Sequence, residues 1–338
     1  MRIFEMFDPA QATTGLLLLF LLSGLVLIIF GADWLVDGST AIARRLKVSE
    51  FVIGLTIVGI GTSTPEMVVS FMGALEGNAD IAIGNVVGSN IFNVLLILGV
   101  TALIWPMNMT RSNMKRDIPL NIGVTLLLIL LGMNKTITGF GSNMLSRLDG
   151  ILFLLLFAVY LVTSFREKPK FPSDAGGEKM MRTSLAVLAI LAGLGGLIFG
   201  GRLFVNYATE IATRIGVSDK FIAVTVLAGG TSMPELATCV VAAFKKRGQL
   251  ALGNIIGSNI SNILLILGGS AVICPLSFDG SGQPNSGMSF MDLGVLLLSA
   301  VLIWSSAYTG HRRRLDRADG FILLMVEACY MTWLLLHL

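Results

Sequence analysis

Charge is what this chain has least of. Only 13% of its 338 residues are Asp, Glu, Lys or Arg, against 54% hydrophobic. A soluble domain carries about 25% charged residues. With a mean hydropathy of +0.81, the shortage excludes a soluble globular class and points to an integral membrane protein. Histidine is also scarce: His311 and His337 both lie at the edges of apolar runs. The three cysteines, Cys239, Cys274 and Cys329, have no metal-ligand spacing and read as free, small apolar residues. The net charge of +3 carries no argument for nucleic acid, because the basic residues sit in short loops. No cleavable leader is expected, since Glu5 and Asp8 follow Arg2 and the first apolar run is too long for one.

What is present is apolar length. Ten runs can each cross a bilayer as a helix: about 14–36, 51–75, 79–105, 117–133, 147–165, 183–210, 219–244, 249–273, 289–309 and 319–337. The expected fold is an all-α polytopic membrane protein. The longest connection, 166–182, holds Lys168-Pro169-Lys170-Phe171-Pro172 and is too short for a folded domain. It separates a first half, 1–165, from a second, 183–338. The loops after runs 1, 3, 5, 7 and 9 hold 18 basic residues and the opposite side holds 5. Cytoplasmic loops carry the Lys/Arg excess, so both termini are expected on the non-cytoplasmic side. Five runs per half is an odd number, so the second half enters from the opposite side: two inverted five-helix repeats.

The halves repeat in sequence as well. Gly61-Thr62-Ser63-Thr64-Pro65-Glu66 returns 169 residues later as Gly230-Thr231-Ser232-Met233-Pro234-Glu235. Gly84-Asn85-Val86-Val87-Gly88-Ser89-Asn90-Ile91-Phe92-Asn93 returns at the same offset as Gly253-Asn254-Ile255-Ile256-Gly257-Ser258-Asn259-Ile260-Ser261-Asn262. Residues 54–99 and 223–268 share 20 identities in 46 gapless positions. A polar patch inside each half of a duplicated membrane chain is the pointer to a transporter binding site.

The patch has its own chemistry. Pro65 and Pro234 lack an N–H, so the helix must kink or break and the carbonyl four residues earlier loses its donor. A lone carboxylate deep in a bilayer costs at least ~2.5 kcal/mol and is functional by default. Ser89 and Asn93, four apart, share one helix face, as do Ser258 and Asn262. Brought together, Glu66, Glu235, Thr62, Thr231, Ser63, Ser232, Ser89, Ser258, Asn93 and Asn262 make a cage of oxygens, the donor that hard cations take. Asn90 and Asn259 point elsewhere and are expected to bond backbone freed by the prolines. No basic residue accompanies the motifs inside runs 2, 3, 7 or 8, and Lys220 stands at the outer end of run 7. A cation or a proton must therefore compensate the glutamates. The plain alternative for any one serine is helix-to-helix hydrogen bonding, and it holds about half the weight there. The Gly84/Gly88 and Gly253/Gly257 spacings read as packing. The glycines of runs 1 and 6 read equally as packing or as a smooth sliding surface. An intramembrane hydrolase using Ser63 or Ser232 needs a base within reach, and no His or Lys lies beside either serine.

These two motif pairs resemble the α-repeats of the calcium/cation antiporter superfamily, most closely its bacterial and archaeal sodium/calcium exchangers. The likeness runs over essentially the whole chain. It implies a non-enzymatic antiporter exchanging Ca²⁺ for Na⁺ by alternating access, with no cofactor, no nucleic acid and no obligate protein partner, in a bacterial inner membrane. H⁺ in place of Na⁺ is the alternative. By resemblance, Glu66 and Glu235 ligate both ions. Thr62, Ser63, Ser89, Thr231, Ser232 and Ser258 match hydroxyl ligands. The carbonyls of Gly59 and Ala228 match backbone ligands, and Asn93 and Asn262 match the polar positions one turn on. Runs 1 and 6 match the helices that slide. Some relatives carry Asp where this chain has Asn93 and Asn262, potassium-dependent exchangers among them, so the resemblance implies no potassium dependence.

Overall fold

The computed structural model describes residues 9, 12–166, 181–216, 228–279, 288–308 and 313–337. The expected linker at 166–182 lies almost wholly outside these residues, as does the start of run 7.

Two long helices, α1 (Thr14–Leu46) and α7 (Thr183–Arg214), pack tightly on each other. Glycine makes the approach possible. A Cβ on Gly31 would stand 2.8 Å from the Gly193 carbonyl oxygen, and one on Gly193 would stand 2.7 Å from that of Gly31. Gly24 meets Gly200 in the same way, and Gly38 meets the Ala186 carbonyl. Small residues let membrane helices close backbone to backbone. Of the glycines expected either to pack or to slide, Gly24, Gly31, Gly193, Gly196 and Gly200 pack on the other long helix, while Gly195 and Gly201 have nothing within 4 Å of a Cβ.

Between these and the outer helices lies an inner set. α2 (Glu50–Thr62) and α3 (Thr64–Leu75) follow each other across a break and are bent by 50°. The break falls at Ser63 (φ −79, ψ 10), and Pro65 sits in the first turn of α3, where a missing N–H costs nothing. α4 runs over Ala79–Ile104. In the second half, α8 (Ala228–Gly230) breaks at Ser232 (φ −88, ψ 7) into α9 (Met233–Phe244), again with proline in the first turn. α10 (Gly248–Ile273) follows and is buried along almost its whole length. A π-helical turn interrupts α2 at Gly54–Val58, α4 at Asn93–Leu98 and α10 at Asn262–Leu267. Such turns are rare and recur at functional sites.

α5 (Ile118–Gly132), entered through a π-helical turn at Asn113–Asp117 and followed by a short helix at Asn134–Thr138, α6 (Arg147–Phe165), α11 (Phe290–Ser306) and α12 (Arg317–His337) complete the described helices. Two-residue strands tie the ends: β1 (Met107–Asn108) pairs antiparallel with β4 (Arg314–Leu315), and β2 (Met144–Leu145) with β3 (Leu276–Ser277). Ser146 caps α6 and Ser289 caps α11, each with a reciprocal Asp three residues on, Asp149 and Asp292. Among the described residues six helices are long and apolar enough to cross a membrane, seven if the bent α2–α3 pair counts as one span. Leu18, Leu22 and Ile29 of α1, Leu155 and Val159 of α6, Leu188 and Leu191 of α7 and Phe321 of α12 are exposed, which suits lipid contact.

Gly253 and Gly257 of α10 lie against α2, where a Cβ would collide with the Phe51 carbonyl oxygen at 2.2 Å and Leu55 Cα at 2.4 Å. That spacing is packing, as read, whereas Gly84 and Gly88, read the same way, have nothing within 4 Å of a Cβ and make no such close approach. Lys245 at the end of α9 reaches α1, with ion pairs to Asp33 (2.7 Å) and Asp37 (2.6 Å), and Arg247 pairs with Glu50 (2.8 Å).

Candidate functional site

The two proline breaks meet. Ser63 Oγ donates to Glu235 Oε1 (2.9 Å), and Ser232 Oγ donates to Glu66 Oε1 (3.1 Å). Each half thus holds the other half's carboxylate. Glu66 and Glu235 are each 1% exposed. Thr231 and Ser232 stand beside Glu66; Ser63, Thr62 and Ser258 stand beside Glu235. A bond from serine to carboxylate stabilises the charge but does not cancel it. Among the described residues no Lys or Arg bonds to either glutamate.

The oxygens left over define what the site can do. Glu66 Oε2, Glu235 Oε2, Asn93 Oδ1, Asn262 Oδ1 and Thr231 Oγ1 are buried without a hydrogen-bond partner. A buried orphan acceptor costs about 1–3 kcal/mol, more when charged. All five are oxygens and two belong to carboxylates, the donor set of Ca²⁺ or Na⁺. No cluster of three His, Cys, Asp or Glu side chains occurs among the described residues. Oxygen donors of this kind, mainly neutral, suit a hard cation.

Around this centre the remaining motif residues are spent on structure. Asn90 Nδ2 donates to the Asn259 carbonyl (3.1 Å) and Asn259 Nδ2 to that of Asn90 (3.2 Å). Asn93 Nδ2 donates to Asn259 Oδ1 (3.1 Å), and Asn262 Nδ2 to Asn90 Oδ1 (2.9 Å). This corrects the expectation for Asn90 and Asn259: they join α4 to α10 and bond no proline-freed backbone. The quartet also aims Asn93 and Asn262. With each amide nitrogen committed, each orphan oxygen is held in place.

The other expected ligands divide. Thr62 Oγ1 donates back to Val58 O (3.0 Å) and lies 3.2 Å from Asn254 Oδ1, so its proton is committed to helix packing. The Gly59 carbonyl accepts from Ser258 Oγ (3.2 Å) and from the Ser63 N–H (3.1 Å). Ser89 is buried on α4, one turn before Asn93. Ala228 opens α8 at the edge of the described residues.

Two residue pairs were not singled out in the sequence. Asn85 Nδ2 donates to the Glu66 carbonyl (3.0 Å) and to Ser70 Oγ (3.0 Å). In the other half Asn254 Nδ2 donates to Cys239 Sγ (3.3 Å), and Cys239 points on to Ala251 O (3.7 Å) just as Ser70 points to Ala82 O (3.4 Å). Cys239 is therefore a polar partner in serine's place and not merely small and apolar. The signal was available, because the 169-residue offset pairs Ser70 with Cys239. Glu327 on α12 is a further buried carboxylate, 4% exposed.

The long helix α7 touches the cage motifs at glycine. A Cβ on Gly61 would lie 2.8 Å from Leu194 Cδ2, and one on Gly230 would lie 2.5 Å from Val205 Cγ2. Both glycines open the motif, and both apolar side chains belong to α7.

Against known proteins, the family described as Sodium/calcium exchanger protein matches residues 16–166 and 185–336. The putative antiporter CaxA of Alkalimonas amylolytica is 40% identical over 322 residues, 92% of this chain and 96% of that protein. The sodium/calcium exchanger MaX1 of Methanosarcina acetivorans is 33% identical, over 93% of this chain and 97% of its own. The solved structure of the sodium-calcium exchanger NCX_Mj soaked with zero Na⁺ and Ca²⁺ superposes with a TM-score of 0.80 at 30% identity, covering 95% of this chain and all of that one.

Proposed function

This chain belongs to the sodium/calcium exchanger protein family, and from that premise we propose that it exchanges Ca²⁺ for Na⁺ at the Glu66–Glu235 cage by alternating access. The observation that carries the reading is a set of five orphan buried oxygens, two of them belonging to carboxylates that have no basic partner among the described residues. One Ca²⁺ neutralises both charges. Several Na⁺ occupy overlapping positions among the same oxygens. Neutral oxygens at this density favour Na⁺ over H⁺, because a proton on a carboxylate needs no coordination shell.

The proposed ligands are Glu66, Glu235, Asn93, Asn262, Thr231, Ser63, Ser232, Ser89 and Ser258, with Thr62 and the Gly59 and Ala228 carbonyls as outer positions. Ser63 and Ser232 can supply a lone pair while their hydroxyls donate to the carboxylates, and Ser258 while its hydroxyl donates to the Gly59 carbonyl. An empty cage leaves two uncompensated charges in a poorly screened interior, where each costs several kcal/mol. That cost opposes passage of the apolar side chains Leu194 and Val205 across the cage mouth, so only loaded states interconvert. α1 and α7, joined along their glycines, are proposed to move as one unit.

We further infer ten spans in two inverted halves, 1–165 and 183–338, joined by the 166–182 linker, in a cell membrane with both termini outside the cytoplasm. The reciprocal bonds Ser63–Glu235 and Ser232–Glu66, and Asn90–Asn259 in both directions, favour a two-fold relation between the halves. The basic asymmetry of the loops favours the orientation. The deciding experiment is isotopic calcium uptake into vesicles with and without an outward sodium gradient. Uptake that follows the sodium gradient and ignores a pH gradient is expected; uptake that follows only the pH gradient would replace Na⁺ by H⁺.

A further inference from the structure

We propose that a cavity at the β1–β4 end of the molecule, remote in sequence from the cage motifs, binds the phosphate of an anionic phospholipid headgroup. The cavity is about 440 Å³ and is lined by Arg111, Met114, Lys115, Ala307, Tyr308 and Arg313. That volume lies within the range of small-molecule sites, about 300–1,000 Å³. Three of the six lining residues are cations and none is acidic. The acid nearest in sequence, Asp117, is engaged by Arg116 (2.8 Å) and by Asn113 (3.2 Å). Arg111, Lys115 and Arg313 are exposed at the rim, while Met114 and Ala307, 9% and 1% exposed, form an apolar floor.

The backbone beneath the cations is fixed. Arg313 takes a left-handed conformation (φ 65) and is held from both sides: its N–H donates to Ala307 O (3.0 Å) and its carbonyl accepts from the Met109 N–H (2.7 Å). Arg314 follows directly in the β1–β4 ladder. Arg111 opens a helical segment closed by Thr110 and Asn113, with Thr110 Oγ1 donating to Asn113 Oδ1 (2.7 Å) and Asn113 N donating back to Thr110 Oγ1 (3.1 Å). The guanidinium and ammonium groups are thus presented from two braced segments, and an oxyanion between them meets a fork geometry that suits phosphate.

The surroundings distinguish a lipid from a free phosphate. Trp304 and Tyr308 stand beside the cavity with ring centroids 5.0 Å apart, 41% and 54% exposed. Exposed Trp and Tyr mark the headgroup level of a bilayer. Leu298 and Val301, 44% and 37% exposed, continue the same face of α11 one and two turns further in. An anion at Arg111, Lys115 and Arg313 would therefore have an apolar stripe beside it for an acyl chain. Basic pockets between membrane helices are read by this combination of charge and depth.

The test uses the full-length protein in phosphatidylcholine nanodiscs, with phosphatidylglycerol added in steps and lipid retained on the protein measured by native mass spectrometry. Each cation near the surface contributes about fivefold in affinity, so three together give on the order of a hundredfold. The variant R111Q/K115Q/R313Q is expected to lose retention by that order, and R313Q alone, at an exposed position that keeps its fold, by about fivefold. A control losing three cations elsewhere, R44Q/K47Q/R166Q, is expected to match the parent. Equal retention by parent and R313Q overturns the proposal, as does an equal loss in the control. Inorganic phosphate competing as well as phosphatidylglycerol would make this a free-anion site and overturn the lipid assignment. The result is independent of which ion is exchanged.

Discussion

Replacing Glu235 or Glu66 by Gln separates charge from shape at the cage. Each glutamate accepts one serine hydroxyl through Oε1 and leaves Oε2 buried without a partner. Glutamine keeps the volume and one carbonyl oxygen, so the serine bond can persist and packing barely changes. What disappears is one negative charge. Two unit charges about 4 Å apart at an effective dielectric of about 20 interact by ~4 kcal/mol. A sodium ion beside the lost carboxylate therefore loses up to ~4 kcal/mol and a calcium ion up to ~8. If relaxation and water recover half, the losses are ~2 and ~4 kcal/mol, or about 30-fold for Na⁺ and about 1,000-fold for Ca²⁺. The expected signature is thus a shift in selectivity toward sodium on top of lost exchange. Equilibrium binding of radioactive calcium to purified protein, with sodium as competitor and thermal unfolding as the fold check, reads both numbers. Calcium affinity within threefold of the parent in either variant would refute the cage. Equal losses for the two ions would refute the electrostatic argument while leaving the residue in place.

Asn259→Ala strands the Asn93 amide in a buried quartet, at about 1–3 kcal/mol, and removes one of the bonds to the Asn90 carbonyl, so it should lower the unfolding temperature markedly in detergent. An unchanged temperature would remove the quartet as the bond between halves. Cys239→Ser should be near neutral because Ser70 plays the same part, whereas Cys239→Ala should cost about 1–3 kcal/mol by stranding the Asn254 amide; chemical denaturation distinguishes them. Gly230→Ala meets the stiff, β-branched Val205 and Gly61→Ala meets the flexible end of Leu194, so exchange should slow more in the first than the second, with calcium affinity kept in both. Reporter fusions after residues 112 and 246 should read cytoplasmic and one at 338 should not; a cytoplasmic reading at 338 would break the inverted arrangement.

Much of this molecule was legible in one dimension. The breaks at Ser63 and Ser232 follow from Pro65 and Pro234, whose effect on the backbone is local and independent of surroundings. The carboxylates Glu66 and Glu235 stand out because charge inside an apolar run is costly wherever the run is placed. The duplication at 169 residues makes each half a check on the other. Even the role of Cys239 is written there, in its alignment with Ser70, although composition alone describes it as a small apolar residue.

What a one-dimensional pattern cannot carry is who meets whom across the fold. Each residue along a helix turns the side chain by about 100°, so spacing assigns a face to Asn90 or Ser63 but names no partner for that face. The partners lie 166 to 172 residues away. Only the packing of α4 on α10, and of each break on the other, decides that Ser63 serves Glu235, that Asn90 and Asn259 bind each other, and that five oxygens are left over. The glycines of α1 and α7 are the same case: close approach is readable from their size, but that they close on each other and leave Gly61 and Gly230 to face α7 is decided by tertiary structure. The chain itself determines which oxygens enter the membrane and where the helices break. The fold determines which of those oxygens remain free for an ion, because a hydrogen bond satisfied across the interface removes its atom from that role.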